Sequence, residues 1–284
     1  MQVLTLYMTL HVRMRNMYTW IRSAIVVIAI ALVGIVGVWQ AGNLVAERGT
    51  LGPSVLQSIS PTVALFALVI TIGVGALAGG LVAKISTTTT GMFIYGFAIC
   101  AMAMRLEGAT EFITNDGNYA MLLFEALLLS VLVLLGTIGV FAIGGPITCA
   151  PQEDTQDSMP SQLGKAVLIS LVVLPVLWIF VNSPMKGQVL GASAASGIAV
   201  GLLYRQFLRA SQPLALFALP IAVVGVGYLV GATMGPSDIA ALNEQNISRL
   251  LLAMPIEFAG GFIVGLAIVL GWTSSVEEKT EGCS

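Results

Sequence analysis

The chain has 284 residues, of which 57% are hydrophobic and only 9% charged, with a formal net charge of -2. A soluble domain carries roughly 25% charged residues, so this composition excludes one and points to a protein dissolved in a lipid bilayer. No basic field and no Lys/Arg cluster interleaved with aromatics is present, which excludes a nucleic-acid partner.

In chain order, residues 1–19 place Val3, Tyr7, Leu10, Met14 and Met17 at helical spacing beside His11, Arg13 and Arg15. That pattern suits an interfacial helix or a cytoplasmic tail. Residues 21–40 follow a basic flank as a first crossing; with no A-x-A site within reach, the segment reads as an uncleaved span. A polar segment, residues 41–60, leads to span two at 61–83, where Pro61 sits at a helix start. Span three, 91–104, falls short of the roughly 20 residues a crossing needs and has to borrow flanking threonines or Arg105. After the polar loop 105–118 comes span four, 119–143. Residues 144–164, with Pro146, Pro151, Pro160, Glu153, Asp154 and Asp157, read as an acidic linker near the midpoint. Spans five to eight follow at 165–182, 188–204, 213–234 and 250–271, and residues 272–284 form a polar tail.

The expected fold is therefore an all-α integral membrane protein, a bundle of about eight transmembrane helices. Residues 20–143 would form a first half and 165–271 a second. Two internal matches bear on that division. Asn115-Asp116-Gly117-Asn118 before span four resembles Asn243-Glu244-Gln245-Asn246 before span eight, whereas the stretch from Ala64 in span two resembles the stretch from Ala215 in span seven. The first implies a parallel repeat and the second an inverted one of the kind secondary transporters use.

With the N-terminus inside, eight spans place eight of the twelve basic residues on the cytoplasmic side and leave Arg48, Arg105, Lys186 and Arg249 outside. This bias favours a bacterial cytoplasmic membrane with both termini cytoplasmic. Glycines recur four residues apart at Gly75/Gly79, Gly187/Gly191, Gly197/Gly201, Gly227/Gly231 and Gly261/Gly265. Helices in lipid associate through such close backbone approach, within the chain or with another copy or membrane partner. Pro175, Pro220 and Pro255 are expected to kink spans five, seven and eight, leaving the Leu251 carbonyl short of a donor.

The chemistry rests on two acids, Glu125 and Glu257, each about two turns into its apolar run and near the outer face. A charge in hydrocarbon costs several kcal/mol, so each needs neutralising; Arg105, Arg249 and Lys186 are the candidate partners on that side. The two acids suggest a cation or proton site in a permease or channel-like protein for a small solute or ion. The alternative is a non-catalytic scaffold or subunit of a membrane complex, in which each acid merely fixes a helix. An enzyme is not expected. His11 is the single histidine, leaving no base for Ser193 or Ser196 and no metal-ligand cluster; the three cysteines, Cys100, Cys149 and Cys283, lack partner spacing, and no cofactor is implied.

Overall fold

A computed structural model describes the backbone of residues 2–147, 159–208 and 213–281, and the side chains of 20–147, 162–208 and 213–272. Eleven α-helices are present among the described residues: α1 Gln2–Ala41, α2 Pro61–Ile85, α3 Thr88–Arg105, α4 Ala109–Thr114, α5 Tyr119–Gly144, α6 Met159–Ser170, α7 Val173–Phe180, α8 Lys186–Phe207, α9 Leu219–Thr233, α10 Ile239–Asn243 and α11 Pro255–Glu281. Seven helical segments are long and apolar enough to cross a membrane, with α6 and α7 counting as one broken crossing. The expected third span, α3, is not among these seven. It has 18 residues, begins with threonines and ends on Arg105. At 1.5 Å per residue it measures roughly 27 Å, close to the hydrocarbon thickness, and it tolerates lower apolarity because protein surrounds it: α1, α2, α5 and α11 all pack on it. The all-α membrane bundle read from the sequence is thus the observed architecture.

Both ends of the described chain are helical. Residues 2–19 continue the first crossing as one helix, and α11 runs on through the tail to Glu281. The acidic residues of the expected linker, Glu153, Asp154 and Asp157, lie outside the described residues, as do Cys149 and Cys283.

Prolines shape the second half in two ways. Pro175 breaks a crossing: the α-helix stops at Ser170 and restarts at Val173, and Leu174 N–H turns to the carbonyl of Leu171 across the break. Pro220 and Pro255 instead stand in the first turns of α9 and α11, where a missing N–H costs nothing. The residues before each form a 3-10 turn, Ala215–Phe217 and Arg249–Leu252. The kinks expected in spans seven and eight are therefore helix starts. Near Pro255 it is the Ala253 carbonyl that gains a side-chain donor, the Tyr228 hydroxyl at 2.7 Å.

Small residues set the closest approaches. On α8 and α11, Gly197 lies against the backbone of Phe262 and Leu266, Gly265 against Ala194, and Gly261 against Leu190 and Ser193. On the other side of α11, Gly260 meets the backbone of Cys100 on α3, and Gly79 of α2 meets Gly91. A Cβ at these positions would overlap the neighbouring chain, so the interfaces depend on its absence. Gly187 and Gly191 are the exception: nothing lies within 4 Å of where their Cβ atoms would be. Ser193 and Ser196 turn their hydroxyls back to the carbonyls of Val189 and Ala192, which lets their faces pack as small apolar ones.

The two short helices on the loop side end alike. Asp116 and Gln245 take φ values of 50° and 57°, the left-handed region that L-residues adopt reluctantly. In each case the following N–H closes on a carbonyl five residues back, Gly117 to Phe112 at 3.0 Å and Asn246 to Ala241 at 2.8 Å, a Schellman ending. This geometry equates Asp116 with Gln245, one residue away from the register of the two Asn-containing strings. The stretches from Ala64 and Ala215 do not share a backbone: the first is continuous α-helix, the second begins in a 3-10 turn.

Candidate functional site

Glu125 is the seventh residue of α5, so it lies about 9 Å below the helix start. Its side chain is 1% exposed. The apolar stripe around it, Leu122, Ala126 and Leu129, turns the acid into the bundle rather than toward lipid. There it meets the segment joining α1 to α2. Residues 42–60 are polar in sequence, yet Leu44, Val55, Ser54 and Ser58 are buried. The segment folds inward and ends on the carboxylate: Ser54 Oγ donates to Glu125 Oε2 at 2.5 Å, Val55 N at 3.0 Å and Leu56 N at 3.3 Å. Two consecutive backbone N–H groups and a hydroxyl aimed at one oxygen form a small anion-binding nest. The other oxygen, Oε1, is equally buried and has no hydrogen-bond partner among the described residues.

Glu257 is 2% exposed and stands in the first turn of α11, not two turns in, because Pro255 begins the helix. From there Oε2 reaches back to accept from Met254 N at 3.1 Å, capping its own helix. Oε1 accepts from Lys186 Nζ at 2.7 Å, and the ammonium also donates to the Ala103 carbonyl at 3.0 Å. One lysine at the start of α8 thereby ties α8, the end of α3 and the head of α11 together. The helix N-terminus adds its partial positive charge to the same carboxylate.

Of the three candidate cations, Lys186 alone pairs with a glutamate among the described residues. Arg249 donates to the Trp178 carbonyl at 3.1 Å, and Arg105 lines a groove on the outside of the bundle between α1 and α3. The reason is positional: both arginines end at exposed surface, where water and headgroups solvate them better than the interior does. Tyr228, which sequence reasoning passed over, sits fully buried on α9, where its hydroxyl donates to the Ala253 carbonyl two residues before the start of α11. The nest of Ser54, Val55 and Leu56 was missed as well. The only signal for it was an acid lacking an obvious cation, which demands donors from somewhere.

Above this interior the same segment is pinned by a second acid, Glu111 of α4. Thr50 Oγ1 donates to it at 2.6 Å and Asn115 Nδ2 at 2.9 Å, while Arg48 reaches the Thr114 carbonyl. The Thr50 hydrogen bond, with smaller contributions from Asn115 and Arg48, holds the Glu111 carboxyl below its ordinary range. Gln57 completes the attachment by exchanging two hydrogen bonds with the backbone of Asn118.

The fold and this interior define a polytopic α-helical membrane protein with two buried carboxylates, each near the start of its helix. Comparison with models of known families, with characterised proteins and with solved structures finds no match.

Proposed function

We propose that the protein passes protons or a small cation across a bacterial cytoplasmic membrane, with both termini cytoplasmic and without enzymatic chemistry, and that Glu125 is the group that takes up the ion. The observation that carries this reading is Oε1 of Glu125, which has no hydrogen-bond partner among the described residues. Its sister oxygen holds three donors, so the carboxyl is oriented, yet half of it faces a buried region with nothing to bind. In a low-dielectric interior an unmatched carboxyl oxygen is a place where a proton or cation lowers the energy substantially. The proposed path continues to Glu257, the second buried carboxylate of the bundle, which Lys186 holds.

The test is flux into liposomes containing the purified chain, driven by an imposed membrane potential and read by an internal pH dye or by isotopic sodium and rubidium. The expected result is flux in the wild type that Glu125→Gln abolishes and Glu257→Gln strongly reduces. Wild-type flux in the double variant overturns the proposal.

One observation favours a second reading, a non-catalytic scaffold or subunit of a larger membrane complex. Every donor to Glu125 comes from residues 54–56 and Lys186 bridges three elements, so both acids also tie the fold together. That reading expects no flux in the wild type and other membrane subunits copurifying with it.

A further inference from the structure

The outer face of the bundle carries a groove of about 790 Å³ between α1 and α3, separate from the buried glutamates. Its floor on α1 is made of two adjacent stripes, Ile30, Gly34 and Val38 beside Ala31, Ile35 and Trp39, and α3 closes it with Phe97 and Arg105. Gly34 brings α1 against the Phe97 ring, which forms the pinch between the helices. From Ile30 to Trp39 the groove runs roughly 14 Å along α1, close to the roughly 15 Å of one leaflet of the hydrocarbon core. Everything along it is apolar until one end, where the last residue of α3, Arg105, stands level with Trp39.

We propose that this groove holds one phospholipid, with an acyl chain lying along the α1 stripes and the phosphodiester on the Arg105 guanidinium. Three features identify the occupant. The groove has the length of one leaflet, and a partner helix would be expected to continue past it. Arg105 is a cation placed where a headgroup phosphate sits; among the described residues no carboxylate pairs with it, and Glu107, two residues on, does not. The planar guanidinium fork matches phosphate oxygens in a way a lone ammonium does not. Trp39 is 76% exposed beside it, at the level where indoles settle among lipid carbonyls.

The test uses the full chain in mild detergent, titrated with dioleoylphosphatidylglycerol and read by native mass spectrometry. The expected result is one tightly held lipid per chain. Arg105→Gln should weaken it about fivefold, the factor equivalent to the ~1 kcal/mol a basic residue contributes near a membrane surface. Ala31→Phe, which fills the groove from an exposed position, should displace the lipid with Arg105 intact, whereas Leu32→Phe, exposed but off the groove, should leave binding unchanged. Circular dichroism confirms that each variant keeps its helices. Equal binding by the wild type, Arg105→Gln and Ala31→Phe overturns the proposal. So does displacement of the lipid by inorganic phosphate, or a lipid-free dimer that Ala31→Phe dissociates.

Discussion

Replacing Lys186 with methionine removes the one cation that, among the described residues, forms an ion pair with a buried acid, while keeping most of the side chain's volume. Glu257 would be left 2% exposed with a single remaining hydrogen bond, from Met254 N. Breaking a fully buried pair by deleting one partner costs about 3–5 kcal/mol. Two features lower that figure here: the lysine side chain is 23% exposed, and the α11 N-terminus contributes about 0.3–1 kcal/mol to holding the charge. The expected loss is therefore about 2–3 kcal/mol. Removing both partners as Lys186→Met/Glu257→Met should cost less than the single lysine variant, about 1 kcal/mol, because no stranded charge remains. Equilibrium unfolding by sodium dodecyl sulfate in mixed micelles, followed by helical circular dichroism, measures both. A Lys186→Met variant within 0.5 kcal/mol of wild type would refute the reasoning, as would a double variant less stable than the single one.

Other outcomes follow from the same contacts. Gly265→Ala places a methyl on the Ala194 backbone and should destabilise by about 2–3 kcal/mol, since backbone cannot move aside as a side chain does; Gly191→Ala, with open space around it, should cost nothing in the same unfolding assay. Ser54→Ala takes the hydroxyl from a buried carboxylate and should cost about 1.5–3 kcal/mol, with faster proteolysis within residues 42–60 as a second readout. Glu111 contributes a pH dependence. Its carboxyl is held below the ordinary value of about 4.3 in the folded state, so protonation favours the unfolded chain. Its stabilisation is complete above that value and fades as the pH falls through the lowered one. Melting temperatures of wild type and Glu111→Gln should therefore differ at pH 7 and converge toward pH 3; a constant gap would contradict the assignment.

Much of this architecture was legible in the letters because the relevant physics is local. An apolar run of about 20 residues has one low-energy state in lipid, a helix with its backbone satisfied internally, so the crossings could be counted residue by residue. Glu257, Gly261 and Gly265 stand four residues apart, which by helical periodicity alone puts them on one face, and that face points at α8. Helix starts were less readable. Pro255 looked like an interruption within a run of leucines, and only the 3-10 turn before it makes it a first residue, which moves Glu257 from mid-helix to a capping position.

What packing decided was the identity of the partners. Ser54 reaches Glu125, and Lys186 reaches Glu257, each across 71 residues of chain, and no spacing rule links positions that far apart. Arg105 and Arg249 had the right charge on the right side, yet only a folded bundle shows that their side chains lie outside it. The same holds for the glycines: Gly187/Gly191 and Gly261/Gly265 are the same pattern in sequence, and one faces open space while the other receives a neighbouring backbone. Composition and periodicity set which residues leave water, since that free energy belongs to each segment alone. Which buried polar group meets which is settled by the distances between helices, and those exist only once the helices have packed.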